Sequence, residues 1–542
     1  MTNLSRSLII GTSVLALAAC GPEQIASPGT GSVNIDYTDN SVTNPTPTPS
    51  SSPVVAAGDC PTLTADGSVA LTNDGTVSGP TGSYRVCTLP GLITKSVTLP
   101  KLSGVLYRMN GRVNVGCDGG PVAPTNYTST TVGCSTPLNA DTNVTLTIEP
   151  GVILYGEKGA SWLAVNRGNK IHAVGTPSKP IIFTSFENVA GVNNENTGGS
   201  QWGGVVLLGR ATITDCELGT VGGTGAGACQ RSTEGSTDPA QFGGNDDTYN
   251  AGSMEYVQLR YSGFALSTNK ELQALTPSGV GTGTTLSHIQ SHRSSDDGAE
   301  FFGGKVNMSY YIATGADDDS LDVDTGARLN VQYALLLPVP GQGDALMEID
   351  SNGNEGNTPR TNLQVVNFLA YQPQTSSNNE GNDKAAVLFR GNADVTLYNG
   401  AIIAPQNECI RMTANTTAAN RATLTARSVA LQCSGTGDAK YIGDGSGDAF
   451  TAAQVRGFIT GDASNKEDFT NTLTGTFFNG SNEDGVAVTS ATGLSSFFVE
   501  LSPNHIGAAW TGNADWYKGW TCNSSIANFG ASSTACTSLP TT

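Results

Sequence analysis

The residues with the greatest capacity for chemistry in this sequence are acids, and they recur at the spacing of a structural repeat. Between positions 296 and 350 three columns can be written: Asp296/Asp318/Asp344, Glu300/Asp322/Glu348, and Asp324/Asp350 opposite Phe302. If the members of a column sit on successive coils of a solenoid, neighbours are about 4.8 Å apart. Two carboxylates at that distance repel by about 1 kcal/mol in water and by roughly 3–4 kcal/mol at an effective dielectric near 20. The nearby bases, Arg293, Lys305 and Arg328, are too few to offset this. A hard cation with oxygen ligands would, and Ca²⁺ is the cofactor expected, with Asp296, Glu300, Asp318, Asp322, Asp324, Glu348 and Asp350 as candidate ligands. The same acids could instead catalyse. Inverting glycosidases need two carboxyls roughly 6.5–9.5 Å apart, which neighbouring columns could supply. A Ca²⁺-assisted lyase would need a base, for which Arg293, Arg328, Arg390 or Arg411 are the local choices. The catalytic candidates are therefore Asp296, Asp297, Asp322 and Arg293. The competing reading is structural: paired Asp residues form turns by bonding their own backbone, and the Arg residues relieve the acids by ion pairing. No EF-hand loop, Ser/His/Asp arrangement or phosphate loop is present, and Gly203-Gly204 and Gly243-Gly244 read as tight corners.

What must position the acids is a repeat of short β-like runs. Met254 to Leu259, Leu286 to Ser291, Met308 to Ala313, Val331 to Leu336, Leu363 to Phe368, Val395 to Gly400 and Leu424 to Val429 align, with spacings of 22 and 23 residues from Leu286 to Met308 to Val331. Repeats of that length signal a solenoid. Short strands, Gly/Asn/Asp turns and few amphipathic helices make it an all-β, right-handed parallel β-helix. A second strand occupies each coil, as in Ala299 to Phe302, Leu321 to Asp324 and Met347 to Asp350; alternation puts Phe301, Val323 and Ile349 inside and the acids outside. Trp162, Trp202, Tyr310, Tyr311, Tyr333 and Tyr371 could form a sugar-stacking platform, although core packing competes for them.

The chain divides into a signal peptide (1–19), a lipidated Cys20 with a Pro/Ser/Thr-rich tether (20–57), a small β-rich, disulfide-stapled N-terminal region (58–142), the β-helix (143–440) and an irregular C-terminal cap (441–542) containing one helix candidate from Ala452 to Ile459. Leu17-Ala18-Ala19-Cys20 closes a short apolar stretch and resembles the lipobox of bacterial lipoproteins, and Gly21 after the Cys implies the outer membrane. Setting Cys20 aside leaves ten cysteines in local pairs: Cys60/Cys87, Cys117/Cys134, Cys216/Cys229, Cys409/Cys433 and Cys522/Cys536. In an exported chain these are expected as disulfides. With 46 acidic and 27 basic residues, the protein would be repelled by phosphate backbones, which excludes nucleic acid as a partner.

Trp202-Gly203-Gly204-Val205-Val206-Leu207-Leu208-Gly209, Phe242-Gly243-Gly244-Asn245-Asp246-Asp247, Ser294 to Gly304 and Asp318-Asp319-Ser320-Leu321-Asp322 resemble motifs of a family of exported bacterial lipoproteins with a right-handed parallel β-helix body. The family has no established biochemical activity, so the resemblance implies fold and location. The function expected is that of an outer-membrane-anchored surface lipoprotein, attached through its lipid. It would act as a binding, adhesion or accessory module for a glycan or an outer-membrane protein, with Ca²⁺ and without nucleotide. The alternatives are a polysaccharide lyase or glycoside hydrolase, and a structural component of the envelope.

Overall fold

Alternate apolar residues commit the chain to short strands, and a computed structural model shows how these stack. It describes residues 53–64, 68–268, 270–351, 353, 355–376, 385–414 and 417–541. The expected signal peptide, Cys20 and the tether up to residue 52 lie outside the described residues. Among the described residues no helix is long and apolar enough to cross a membrane.

The chain is a parallel β-helix built from two long sheets. One carries short strands, among them Glu300–Phe302, Asp322–Asp324, Met347–Ile349 and Val387–Phe389. The other carries long strands, among them Gly252–Arg260, Thr285–His292, Lys305–Thr314, Arg328–Leu337 and Asn362–Tyr371. Each aligned run of the sequence repeat falls in one of these long strands. A long strand is two strands fused at a corner: Lys170–Val174 pairs with the first half of Gly252–Arg260, and Ile181–Ser185 with the second. The corner residue takes a left-handed conformation on every later coil, with φ between 52° and 62° at Tyr256, His288, Tyr310, Tyr333, Asn367, Asn399 and Ser428. That conformation costs a non-glycine residue roughly 1–2 kcal/mol. Ring stacking along the column offsets it in part: Tyr256 on His288 and His288 on Tyr310 at 4.2 Å, and Tyr310 on Tyr333 at 5.0 Å. Inside, Phe301, Val323, Ile349, Leu286, Met308 and Val331 are fully or almost fully buried, as the alternation requires.

Two expected boundaries need correction. The parallel pairing starts well before residue 143, since Val105–Met109 pairs with Ile153–Gly156 and Arg112–Val115 with Trp162–Val165. Most of region 58–142 therefore consists of the first coils, and the Cys117–Cys134 insertion hides the period there. Region 441–542 is more than an end cap. Helix Ala452–Thr460 packs on the last coils. The chain then returns along the outside of the long-strand sheet, and Leu539 reaches the cluster of Tyr84, Val86 and Leu106 in the first coils. Buried amides fasten it coil by coil: Asn399 accepts from Thr489 N and donates to its carbonyl (both 2.8 Å), Gln332 does the same at Val499 (3.0 and 2.7 Å), and Gln290 at Cys522 (2.7 and 3.1 Å). The cause is the apolar outer face of these strands, where Ile312, Leu335, Leu369 and Ile403 must be covered; Trp520, Phe529 and Ile506 cover them.

All five local cysteine pairs are disulfides: Cys60–Cys87, Cys117–Cys134, Cys216–Cys229, Cys409–Cys433 and Cys522–Cys536. They are built into the packing and do more than close loops. Cys87 lies within strand Gly82–Thr88 and belongs to the main core. Cys229 packs with Val206, Ile213 and Phe242, so its bridge to Cys216 draws an insertion onto the outer face of the short-strand sheet. Cys433 ends strand Thr423–Cys433 and ties it to Cys409, one residue before the short strand Ile410–Ala414. Cys522–Cys536 staples the end of the returning segment, and closing loops of this size adds roughly 2–4 kcal/mol. If that segment is part of one cooperative core, Trp520→Ala should lower unfolding stability by about 3–5 kcal/mol. By contrast Leu218→Ala, at a 48% exposed position, should cost no more than about 0.5 kcal/mol in the same denaturant titration. Equal losses from the two would contradict this packing.

Candidate functional site

The acids that the repeat brings into register meet in one cleft of about 410 Å³. Its floor is the short-strand sheet, where Glu300 pairs with Asp322 and Asp322 with Glu348. Phe301 and Val323 point into the core, so these acids point the other way. One wall is made by the turns that enter each short strand, carrying Asp296 and Asp297, then Asp318 and Asp319, then Asp344. The other wall holds Glu234, Lys270, Glu271 and Gln273. Among the described residues lining the cleft, ten carboxylates thus accompany one ammonium, and Lys270 is itself ion-paired with Glu234.

Depth distinguishes this cleft from the exposed acidic face expected. Asp297, Glu300 and Asp319 are only 5%, 8% and 4% exposed. The turn reading holds for part of the set: Asp297 Oδ1 accepts from Asp319 N (2.9 Å), and Asp319 Oδ1 from Ala345 N (2.7 Å), so each turn is tied to the next coil. Gln273 Nε2 donates to Asp296 Oδ2 at 3.0 Å. In contrast, Asp322 Oδ1 is buried with no hydrogen-bond partner among the described residues, although the Asp322 carboxyl lies within hydrogen-bonding reach of Glu300. Burial is the first cause of raised pKa throughout, and neighbouring carboxylates add to it. Asp296 is pushed up to about 7 by burial and then by Asp318. Asp297, Glu300, Asp319 and Asp322 are held well above the ordinary carboxylate range, Glu300 next by Asp322, and Asp319 and Asp322 next by Glu348. Three trios bring their ligand atoms within 4.8 Å of one another: Asp296/Asp297/Asp318, Asp297/Glu300/Asp322 and Asp318/Asp319/Asp344.

Other expected site residues lie elsewhere. Asp350 and Glu348 pair with Arg390 at 2.8 and 3.1 Å, which neutralises the far end of the acid column. Asp324 does not line the cleft; burial and then Asp350 raise it to about 7. Arg293 is also outside the cleft: its guanidinium donates to the Glu195 carbonyl at 2.6 Å and lies near Asp317. Its backbone leaves the strand at a left-handed φ of 58°, separating it from the Asp296 turn. Arg328 pairs with Asp247 and Arg411 with Asp444, as the ion-pair reading expects. The aromatic platform does not exist as one surface. Trp202 and Tyr311 are core residues, Trp162 is buried, and Tyr310 and Tyr333 stack beneath Trp516 and Trp510 of the returning segment, because an uncovered apolar column would be wetted. Tyr371 packs partly buried against the same segment. None of the disulfide cysteines lines the cleft: Cys60, Cys87, Cys117, Cys134, Cys216, Cys229, Cys409, Cys433, Cys522 and Cys536 are structural, and their sulfurs are spent on one another. His292 lies within 4.8 Å of Cys522 and Cys536, but a disulfide offers no thiolate.

Lys270, Glu271 and Glu234 are invisible to the repeat because they sit on insertions between the coils, Lys270–Glu271 in a small hairpin with Ala265–Ser267, and the sequence marks Asp319 only as a turn former. Its one signal is its position, one residue after a column member, on the turn that the next coil covers.

The chain belongs to the pectate-lyase-like β-helix domain family, whose model matches residues 127–521. No curated protein and no solved structure showed a significant match.

The raised carboxyl groups give a signed pH dependence. An unfolded chain releases these protons in the ordinary carboxylate range, whereas the folded protein holds those of Asp296 and Asp324 to about 7 and keeps the others well above that range, so stability falls as pH rises across that interval. His288, lowered to about 4 by burial, and His292, held well below its ordinary value by burial and then by Arg293, act in the opposite sense, but only below the ordinary histidine value of about 6.5. In a chelator, the melting temperature should therefore fall between about pH 6.5 and about pH 8.5. A flat or rising profile over that window would show that the cleft acids titrate normally.

Proposed function

We propose that the cleft holds a hard divalent cation, with Ca²⁺ preferred, and through it binds a glycan, in a protein exported and tethered to the bacterial outer membrane by a lipid on Cys20. The observation that carries this reading is the buried Asp322 Oδ1, which has no hydrogen-bond partner among the described residues, in a cleft crowded with carboxylates. Ca²⁺ takes oxygen ligands at roughly 2.3–2.6 Å, so two oxygens on opposite sides of one ion are about 5 Å apart. The trios, with all atoms within 4.8 Å, are spaced for that without rearrangement. Asp297, Glu300, Asp318 and Asp322 are the central ligands, with Asp296, Asp319 and Asp344 on the flanks; Asp324, Glu348 and Asp350 serve the ion-paired end. A cation there leaves coordination positions for sugar hydroxyls or carboxylates, and the role is adhesion or an accessory function at the cell surface.

The test is a thermal melt with and without Ca²⁺. At saturating concentration, about a hundred times Kd, binding adds about 2.7 kcal/mol, which for a body of this size should appear as a rise of about 2–3 °C at neutral pH. Asp322→Asn should reverse the pattern: it removes a buried carboxyl that must take up a proton on folding at neutral pH, so the cation-free variant should melt above the cation-free wild type, while the Ca²⁺ increment is lost. No increment in the wild type at millimolar Ca²⁺ would end this reading.

One observation favours a second reading, cleavage of an acidic polysaccharide in the same cleft. Asp296 titrates at about 7, where a carboxyl can exchange protons at neutral pH. Ultraviolet absorbance of an unsaturated sugar product, formed from polygalacturonate by the wild type and abolished in Asp296→Asn, would support catalysis; no product with Ca²⁺ present would leave binding as the function.

A further inference from the structure

The charge of this chain is divided along the solenoid axis. Residues 53–180, which include the first coils, carry nine Lys and Arg against seven Asp and Glu, whereas residues 181–542 carry 17 against 36. In the first coils four lysines gather around the outer face of three strands that precede the fusion at the corner: Val97–Leu99, Thr145–Ile148 and Lys170–Val174. Val97, Leu146 and Ile171 are in register and buried, and so are Leu99, Ile148 and Ala173. Thr98, Thr147 and His172 between them therefore face outward, and Lys170 shares their face two residues before His172. Lys95 is exposed just before the first strand. Lys101 and Lys179 follow the first and third strands and converge over Gly151, where a Cβ would lie 3.7 Å from the Lys101 side chain and 3.6 Å from that of Lys179.

Nothing on this face neutralises them. Among the described residues the ion-paired lysines are Lys270, Lys440 and Lys518, so Lys95, Lys101, Lys170 and Lys179 have no carboxylate partner there. Glu149, on the turn beside Gly151, accepts from the Lys101 backbone N–H at 2.8 Å and pairs with no ammonium. Burial and then Lys179 lower the pKa of Lys101, as expected of like charges left side by side. The returning segment reaches this turn with Gly519 beside Pro177, and its Asp515 is paired with Lys518. The end of the expected tether lies against the Lys101 turn as well. Ala57 N donates to the Gly104 carbonyl at 3.1 Å, and the Val55 carbonyl packs so closely that a Cβ on Gly104 would lie 2.1 Å from it. Two apolar side chains are left in water at this junction, Val55 at 80% exposure and Leu102 at 39%.

We propose that the first coils dock on a bilayer surface rich in anionic lipids, with Lys95, Lys101, Lys170 and Lys179 at the headgroup phosphates and Val55 and Leu102 in the headgroup layer. Exposed apolar residues ringed by lysines have the composition of a surface that lies on a membrane. Charge complementarity singles out this end, because the acidic remainder of the solenoid is repelled by the same lipids. The docked protein would thus hold its acidic cleft away from the bilayer, and the patch would supply a second membrane signal beside an acyl chain. The proposal takes from the lipid-tether reading only the membrane that the patch would meet.

The experiment is cosedimentation with vesicles of the chain from residue 20 onward, carrying Cys20→Ser so that no acyl chain is attached. The vesicles are phosphatidylcholine alone, or phosphatidylcholine with phosphatidylglycerol. Binding is expected to the anionic vesicles and not to the neutral ones, and it should weaken as salt is raised. Lys170→Gln with Lys179→Gln should reduce partitioning by roughly twentyfold, about fivefold for each lysine, with an unchanged melting temperature. Lys466→Gln, on the exposed surface at the last coil, should leave it intact. The proposal is overturned if the anionic vesicles do not bind the chain, if neutral vesicles bind it equally, or if the double variant binds like the parent chain. It is also overturned if inorganic phosphate displaces the protein more than chloride of the same ionic strength, which would make the lysines a site for a free anion. Because the acyl chain is left out, failure here leaves the tether reading standing.

Discussion

The register between coils governs this structure: every residue of a strand lies about 4.8 Å from its equivalent on the next coil. A favourable residue is thus multiplied along the axis, and so is an unfavourable one. Phe301 over Val323 over Ile349 becomes a continuous apolar column, and a corner residue in a strained conformation becomes a row of them. The stack from Tyr256 through His288 and Tyr310 to Tyr333 turns that strain into a surface on which Trp510, Trp516 and Trp520 pack. The returning C-terminal segment exists because the column it covers would otherwise be wetted.

The same register makes the acids costly. Glu300, Asp322 and Glu348 succeed one another, and Leu388 and Arg411 follow them in the column. Arg390 relieves the Glu348 and Asp350 end. At the other end Asp297, Glu300 and Asp319 are paired with no guanidinium among the described residues, Arg390 offsets only part of what raises Asp322, and the cleft walls deepen their burial. Buried acids in that position either keep their protons or share a cation, and the two states interconvert with pH and cation concentration.

Much of this is legible in the sequence, because a period of 22 to 23 residues places side chains in columns directly. The strands, the inward Phe301 and Val323 and the Glu300/Asp322/Glu348 column follow from it, and the disulfides follow from the local pairing of the cysteines. What is not legible depends on segments that break the period. The insertion around Cys117 to Cys134 hides the first coils. Lys270 and Glu234 sit on excursions whose docking no alternation rule predicts. The same holds for Cys229: its pairing with Cys216 is local, but its place against Phe242 and Val206 depends on how that insertion folds back. The depth of Asp297 and Asp319 is set by the next coil's turn, so acids that alternation puts outside are nonetheless enclosed. Tyr310 and Tyr333, two residues after the inward Met308 and Val331, are turned outward by the left-handed corner, where a segment more than 150 residues away in the chain covers them.

The central claim is that the cleft's carboxyl groups exchange protons for a cation. Calorimetric titration of the protein with Ca²⁺ at neutral pH, in two buffers of different ionisation enthalpy, measures that exchange directly. The account predicts saturable binding with net proton release that diminishes as the pH is raised and the carboxyls are already ionised. Binding without proton release, or no binding heat in either buffer, would contradict it.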